Sequence, residues 1–511
     1  MDILDSSTNA SSWLTLLQPE APAPRFLPLD FPAYNLANRT QPLTNMQGHI
    51  SITAAKTVNS THETMLGTNQ SIFSPSVTIT NLESEDPPYL AVSDTYMEFV
   101  RSGLISVSKG KLETLTGNTA TIAPSNEHIH DIAALVLATG FEASSSISFL
   151  PESVRETLSI SPSDLNNTVA LAFHGTYHPE VPNLGFVGFY RSPYWGVMEM
   201  QARFVTALWA AGGPGSSSLS PELATALADD TSISRTIELR NNPRASQFPM
   251  GDYPWLMQEF ATALGLARSP VPESMPRLPP AGRQMDIITP SRYTSKTLSG
   301  AQQQEVTKSL QQTEKTIMAG MTSGKFVAKA VFRSLLGEWK LERDLISKLP
   351  SHPSGHFSGI AKFLLRKGTR DGRESEFDAL GPDGDPGLEY LYIEEGDFKA
   401  SNGLTFRATR RYVWRYNEKT DKLSVWFART DDQKKADYLF HHVEFEVPKP
   451  DMEEVESRRG WQATAGHLCI DDFYDVNYLF NFKAVNLRDW TLGYTVKGPK
   501  KDYRIDGVYS R

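Results

Sequence analysis

Cysteine is nearly absent from this sequence, which has 511 residues and a single cysteine, Cys469. One cysteine excludes an intramolecular disulfide and a structural zinc site built from several cysteines, and we predict no metal site. No apolar run reaches the ~18 residues of a membrane-spanning helix. The first residues lack the basic start and apolar core of a secretion signal. We therefore expect a cytoplasmic protein without a membrane span.

An excess of basic residues is also missing. The formal net charge is -9, and no strongly basic stretch stands out, so neither a nucleic acid nor an anionic membrane is predicted as a partner. Hydrophobic residues make up 40% of the chain and charged residues 21%, which is the balance of a folded protein rather than a disordered one.

The glycine fingerprint of dinucleotide-binding enzymes is the third absence. No predicted strand is followed by Gly-x-Gly-x-x-Gly, and the nearest candidate, Gly212 to Ser217, follows a helical pattern instead. That fingerprint places backbone N–H groups and a helix N-terminus against a pyrophosphate. The sequence therefore lacks the usual anchor for such a cofactor.

Composition divides the chain into four parts. Residues 1–85 are rich in Ser, Thr, Asn and Pro and read as an irregular segment, whereas residues 86–268 carry strand and helix patterns. Residues 269–330 combine a proline-rich linker with a helical stretch. Residues 331–511 alternate apolar and polar positions and form the last predicted domain.

The apolar run Ile132–Ala138 is predicted to be a buried strand that ends at Thr139 and Gly140. Ligands in doubly wound proteins bind just beyond such strand ends, and glycine lets a ring approach the backbone closely. Further strands are predicted at 101–110, 112–122, 169–174 and 182–190, and a helix runs from Val197 to Gly212.

Short alternating runs at regular spacing predict a closed antiparallel barrel of roughly eight to ten strands in the last domain. The runs are 336–343, 357–365, 388–398, 404–416, 423–429, 438–447, 461–475, 477–486, 490–497 and 502–510.

Four motifs in the middle of the chain resemble, in order, the C-terminal half of flavin-containing monooxygenases and their Baeyer–Villiger relatives. They are Ser93–Tyr96 with Arg101–Ile105, Leu135–Phe141, Pro182–Gly188 and Glu199–Arg203. The resemblance covers about residues 30–266. It implies that Thr139, Gly140, Gly188, Glu199 and Gln201 border the ring of FAD, and that NADPH reduces this flavin for the oxygenation of a small molecule.

The fold class implied is thus an α/β region, an incomplete dinucleotide-binding-type domain, followed by an all-β lipocalin-like barrel. Family members carry two glycine fingerprints before the matched motifs, and this chain has neither. Either the chain is a truncated form of a longer enzyme or it has lost independent flavin chemistry. The first functional hypothesis is therefore a flavin-dependent monooxygenase-like oxidoreductase. The alternative is a non-catalytic protein that binds a small molecule in its barrel.

The last domain resembles a family of uncharacterised lipocalin-like barrels. The residues that carry this resemblance are Gly337–Arg343, Arg410–Arg415, Phe440–His441, His467–Tyr474, Gly498–Tyr503 and Tyr509–Arg511. Gly337-x-Trp339 resembles the lipocalin signature, in which a tryptophan closes the base against an arginine of the last strand. The resemblance implies that Arg511 stacks on Trp339.

Several residues of this domain are candidates for lining a cavity. His441 shares a strand face with apolar neighbours, and His467 shares one with Cys469. Tyr412 and Trp414 form an aromatic face with Arg411 and Arg415 on the opposite face, and alternation alone does not say which face points inward. An inward aromatic face makes a core or a ligand wall, whereas inward arginines make a site for anions. Core packing of these histidines and aromatics stays open as the plainer interpretation.

Overall fold

The computed structural model describes residues 23–28, 30–37, 41–42, 44, 49–88, 93, 96–140, 143–160, 168–189, 195–245, 251–278, 282–295, 297–349, 353–372, 387–448, 460–469 and 471–511. The helices in these ranges are α1 (Asp30–Ala33), α2 (Ile52–Leu66), α3 (Tyr96–Arg101), α4 (Glu152–Thr157), α5 (Trp195–Ala210), α6 (Pro221–Ala228), α7 (Ser232–Leu239), α8 (Tyr253–Ala263), α9 (Gly300–Thr322) and α10 (Val327–Leu335). None of them has the length and apolar character needed to span a bilayer.

The strands of the first half are short. They are β1 (Lys111–Thr116), β2 (Thr119–Ala123), β3 (Glu127–Ile129), β4 (Arg277–Leu278) and β5 (Arg283–Gln284). The barrel strands that follow are β6 (Gly337–Ser347), β7 (Gly355–Lys367), β8 (Leu388–Ala400), β9 (Thr405–Asn417), β10 (Lys422–Ala428), β11 (Ala436–Phe445), β12 (Trp461–Cys469), β13 (Asp472–Lys483), β14 (Asn486–Lys497) and β15 (Asp502–Ser510).

Strands β6 to β15 form a closed ten-stranded antiparallel barrel, which confirms the barrel prediction. Each strand pairs with its neighbours in sequence, and β15 pairs with β6 to close the ring. Closure removes the exposed edges that an open sheet would leave. Most predicted bounds differ from the observed ones by a few residues, and the run 461–475 spans two strands, because β12 ends at Cys469 and β13 begins at Asp472.

The base of the barrel is an aromatic core covered by α10. Trp339, Trp461 and Trp490 are fully buried there, and the helix contributes Val331 and Leu335. Burying a large apolar side chain contributes roughly 1.5–3 kcal/mol. This layer therefore fixes one end of the barrel rigidly.

A segment from the other end of the chain completes this base. Phe26 belongs to the barrel core, its ring lies 4.9 Å from that of Phe482, and the Pro24 carbonyl accepts a hydrogen bond of 2.7 Å from Trp461 Nε1. The predicted domain boundary at residue 331 therefore leaves out part of the barrel core.

The first half is an α/β region with a helical core, in which α5 and α6 pack on α8. Its β1–β2–β3 sheet is antiparallel, and all the strand pairs that the structure describes are antiparallel. A doubly wound parallel sheet is therefore not part of the described residues. Helix α5 ends before Gly212 and Gly213, both with positive φ, as predicted.

The predicted buried strand Ile132–Ala138 is not observed. The segment has no regular secondary structure and pairs with no described strand, and Leu135, Val136 and Leu137 are 48%, 85% and 75% exposed. The apolar composition of a run does not specify which neighbouring elements cover it. Residues 169–174 and 182–189 also differ from prediction, because isolated bridges of Tyr177 to Ala172 and Gly185 replace regular strands. Residues 101–110 contain the end of α3 and a turn rather than a strand.

Candidate functional site

The inner face of the barrel changes character from base to mouth. Trp339 is 1% exposed and donates a hydrogen bond of 2.9 Å from Nε1 to the Leu335 carbonyl. The Arg511 guanidinium lies 4.0 Å from the centre of the Trp339 ring, which is the cation–π contact expected from the sequence. Arg511 also donates to Glu98 Oε1 at 3.0 Å, and burial lowers the pKa of Arg511 to about 10. These residues close the base and leave no surface of Trp339 for a ligand.

A buried ion pair lies above this base. Arg343 donates from Nη1 and Nη2 to the two carboxylate oxygens of Glu394, both at 2.7 Å. Tyr392 donates to the same carboxylate at 2.7 Å, and Tyr509 accepts from Arg343 at 3.1 Å. Burial opposes ionisation of Glu394, but the Arg343 guanidinium outweighs it and holds the pKa of Glu394 below its usual value. One positive and one negative charge thus neutralise each other inside the barrel.

Arg410 adds a second guanidinium to this region. It lies directly across from Glu394 in the β8–β9 register, so the two side chains share the inner face. The Tyr412 hydroxyl and the Glu394 carboxylate both raise the pKa of Arg410. Arg410 stays exposed to solvent, and within the described residues it forms no ion pair within 4.0 Å. The inner face therefore carries two guanidiniums and one carboxylate here.

Three aromatic rings stand parallel next to Arg410. The Phe440 ring lies 6.0 Å from that of Tyr412 and 6.0 Å from that of Tyr494, with interplanar angles of 14° and 15°. Phe440 is 4% exposed, whereas Tyr412 and Tyr494 are half-buried. We call Tyr412, Phe440 and Tyr494 the aromatic stack.

An irregularity in β11 places Phe440 in the stack. The register with β10 shifts so that His441 faces Val425 while Leu439 faces Trp426, and Phe440 is the extra residue. Phe440 and His441 are consecutive, yet both are buried. Simple alternation assigned His441 to the inner face and would have placed Phe440 outside.

The two histidines lie on either side of Phe440. His441 Nε2 lies 2.7 Å from the Tyr478 hydroxyl, and burial lowers the pKa of His441 to about 3. His467 packs edge-on against Phe440 at 5.2 Å, and burial lowers its pKa as well. His467 Nε2 is buried without a hydrogen-bond partner in the part of the chain that is described. Both rings are therefore neutral at pH 7.

The placement of Arg411 in the cavity requires correction. Tyr412 and Trp414 point inward, and Trp414 is buried in the core, so Arg411 lies on the outer face opposite Ile393. Arg415 lies on that outer face as well, where Glu389 Oε2 accepts its hydrogen bond at 2.9 Å. The inward cations are Arg343 and Arg410 instead. Arg410 could have been found two positions before Tyr412, once the aromatic face was known to point inward.

The five residues expected to border a flavin fall into separate groups. Gly188 N–H donates to Gln201 Oε1 at 2.9 Å, and Gln201 Nε2 donates to the His174 carbonyl at 3.0 Å. Glu199 is paired with Arg203 on the surface of α5. Thr139 and Gly140 are exposed, and no described hydrogen bond or ion pair joins them to the other three.

This arrangement does not fit a flavin as one site. Gln201 is fully buried and each of its amide atoms bonds a backbone group of the protein, so its side chain is not presented to a flavin edge. Thr139 and Gly140 present no enclosed surface. Binding of FAD and NADPH stays a prediction of the sequence resemblance.

Comparison with known proteins adds two findings. Residues 335–511 match a family described as "Family of unknown function (DUF6314)". The S-type phycobiliprotein lyase CPES from Guillardia theta is a solved structure that matches with 10% identity, 35% of this chain and 89% of that chain covered, and a TM-score of 0.20. No curated protein matches the chain.

Proposed function

We propose that the barrel binds a small organic anion and that Arg410 holds the anionic group. The observation that carries this proposal is the balance of charge on the inner face, where, among the described residues of this region, Arg343 and Arg410 lie near one carboxylate, Glu394. Arg343 is already neutralised by two hydrogen bonds of 2.7 Å to Glu394. The charge of Arg410 is left for a ligand.

The surroundings of Arg410 support an anion rather than a neutral ligand. The Arg410 side chain is accessible to solvent and forms no ion pair among the described residues, so an anion can reach its guanidinium and pair with it. Arg410 has the Tyr412 hydroxyl nearby and a carboxylate that already serves Arg343. A carboxylate or sulfonate can accept two parallel hydrogen bonds from the guanidinium fork, which is the arrangement that arginine favours.

The walls around this position favour a ligand with an apolar body. Above the base, the inner face is lined by the aromatic stack together with Phe427 and Tyr474. Small-molecule sites are mostly apolar with a few polar groups that fix orientation. The barrel interior follows this pattern, with Arg410 as the orienting group.

Two fluorescent probes of similar shape test the proposal. Anilinonaphthalene sulfonate carries a negative charge, and N-phenyl-naphthylamine is its neutral counterpart. We expect the wild-type protein to bind the sulfonate, and Arg410→Gln to weaken that binding by at least about tenfold, since a hydrogen-bonded charge contributes roughly 1.5–3 kcal/mol. The neutral probe should bind the two proteins within about twofold.

Arg407→Gln is the matched control. Arg407 is on the same strand but points outward, where it pairs with Glu395 at 3.8 Å and is largely exposed. This variant should bind the sulfonate like the wild type. The anion site at Arg410 would be contradicted if both variants bound the sulfonate equally weakly, or if Arg410→Gln bound it as tightly as the wild type.

A further inference from the structure

We infer that the anion held at Arg410 has a planar aromatic body that adds to the aromatic stack, with Tyr412 as the specificity-determining residue. This inference rests on the proposed function and extends it from the charge of the ligand to its shape. Its basis is the position of the stack relative to the anion site.

The stack begins next to the anion site. Tyr412 lies two residues after Arg410 on the same inner face, and its hydroxyl is close enough to raise the pKa of Arg410. An anion bound by the Arg410 guanidinium is therefore beside the Tyr412 ring. The first atoms of the ligand body that follow its anionic group meet an aromatic surface.

The two outer rings of the stack are less buried than its central ring. Phe440 occupies the centre and is 4% exposed, whereas Tyr412 and Tyr494 are only half-buried. The interplanar angles of 14° and 15° show that the three rings share one orientation. A flat ring can continue this orientation on an outer ring of the stack, whereas a puckered ring presents axial hydrogens and keeps a larger distance.

The aromatic stack depends on the bulge in β11, which positions Phe440 between Tyr412 and Tyr494. Without the extra residue, Phe440 would alternate to the outer face, and Tyr412 and Tyr494 would have no ring between them. Phe427 at 4.5 Å, His467 at 5.2 Å and Tyr474 at 5.9 Å then hold the Phe440 ring from the sides. The orientation of the stack is thus fixed before any ligand enters.

Benzoate and cyclohexanecarboxylate provide a test, because both are ionised six-membered-ring acids and differ in flatness. Each is titrated against the sulfonate probe bound to the wild-type protein. We expect benzoate to displace the probe at about fivefold lower concentration, since an aromatic pair contributes roughly 0.5–1.5 kcal/mol beyond area burial. Hydrophobicity alone would favour the saturated acid.

In Tyr412→Leu, benzoate and cyclohexanecarboxylate should displace the probe at nearly equal concentrations, because leucine keeps apolar volume and removes the ring. Phe473→Leu is the control, since Phe473 is half-exposed and points outward on β13. Tyr494→Leu provides a second variant if Tyr412→Leu does not fold. The ratio of the displacing concentrations measured on the wild-type protein tests the aromatic preference without either variant.

The outcomes separate this inference from the proposed function. If both acids displace the probe equally well from the wild type, the aromatic preference is wrong and the anion site stands. If neither acid displaces the probe and Arg410→Gln binds it normally, the proposed function itself fails. If both Tyr412→Leu and Tyr494→Leu keep the wild-type preference for benzoate, the preference does not come from the aromatic stack.

Discussion

Arg343 and Glu394 form a two-point ion pair across the inside of the barrel, with both nitrogen–oxygen distances at 2.7 Å. The pair is completed by Tyr392 and Tyr509, whose hydroxyls lie 3.1 Å apart. These four side chains bond one another, so the charge of Arg410, across from Glu394, remains available in the proposed site.

Glu394→Gln should lower the free energy of unfolding by about 3–5 kcal/mol, because Arg343 would remain buried without its counter-charge. Urea denaturation followed by tryptophan fluorescence measures this change. Glu395→Gln is the control, since Glu395 lies next to it on the exposed outer face. A loss below ~1 kcal/mol for Glu394→Gln would show that the pair is not a structural element of the core.

Acid should destabilise the protein through His441. Burial lowers the pKa of His441 to about 3, whereas an unfolded histidine titrates near ~6.5. The unfolded chain therefore takes up the proton first, and stability present above pH ~6.5 is lost as the pH falls towards 3. His441→Gln should flatten the dependence of unfolding free energy on pH in this window.

His356 provides a control of opposite sign for that experiment. Hydrogen bonds to Asp344 and Glu342 raise its pKa, so its contribution is present at low pH and is lost as the pH rises through the raised pKa. His356→Gln should remove a small contribution, because the side chain is exposed. A pH profile of His441→Gln identical to that of the wild type would contradict the buried, neutral histidine.

Phe26→Ala should destabilise the barrel although residue 26 lies far from the barrel strands in sequence. The ring is fully buried in the barrel core, and removing a buried phenylalanine costs about 3–5 kcal/mol. Thermal unfolding followed by tryptophan fluorescence reports on the barrel, where Trp339, Trp461 and Trp490 lie. Phe149→Ala is the control, because Phe149 is 80% exposed. Equal unfolding temperatures for the two variants would show that Phe26 does not stabilise the barrel.

Absorption spectroscopy tests the flavin prediction separately. A protein that carries FAD absorbs near ~450 nm, and the colour should remain after gel filtration. Colourless protein that takes up no added FAD would remove flavin-dependent oxygenation as an activity of this chain. The arrangement of Gln201, which is fully buried and bonded to Gly188 and His174, predicts the colourless result.

The barrel was predictable because its signal is local. Alternation along each strand identifies its two faces, and the strand Asp502–Ser510 was predicted at its observed bounds. The choice of inward face needs the pairing of strands, which is why Arg411 was kept as a candidate for the cavity and Arg410 was missed. The inward position of Phe440 depends on a bulge that alternation cannot show.

Long-range features of the fold were not predictable in the same way. The burial of Phe26 in the barrel depends on contacts with residues more than 300 positions away, such as Phe482. The exposed run Leu135–Leu137 has the composition of a buried strand, but burial depends on neighbours that the run itself does not specify. The local sequence pattern therefore predicts strands more reliably than it predicts which other residues bury them.

Calorimetric titration with naphthalene sulfonate tests anion binding by the barrel most directly. The account predicts one site per chain in the wild-type protein and in Arg407→Gln, and at least about tenfold weaker binding in Arg410→Gln with its unfolding free energy within ~1 kcal/mol of the wild type. Wild-type affinity in a folded Arg410→Gln protein would contradict the account.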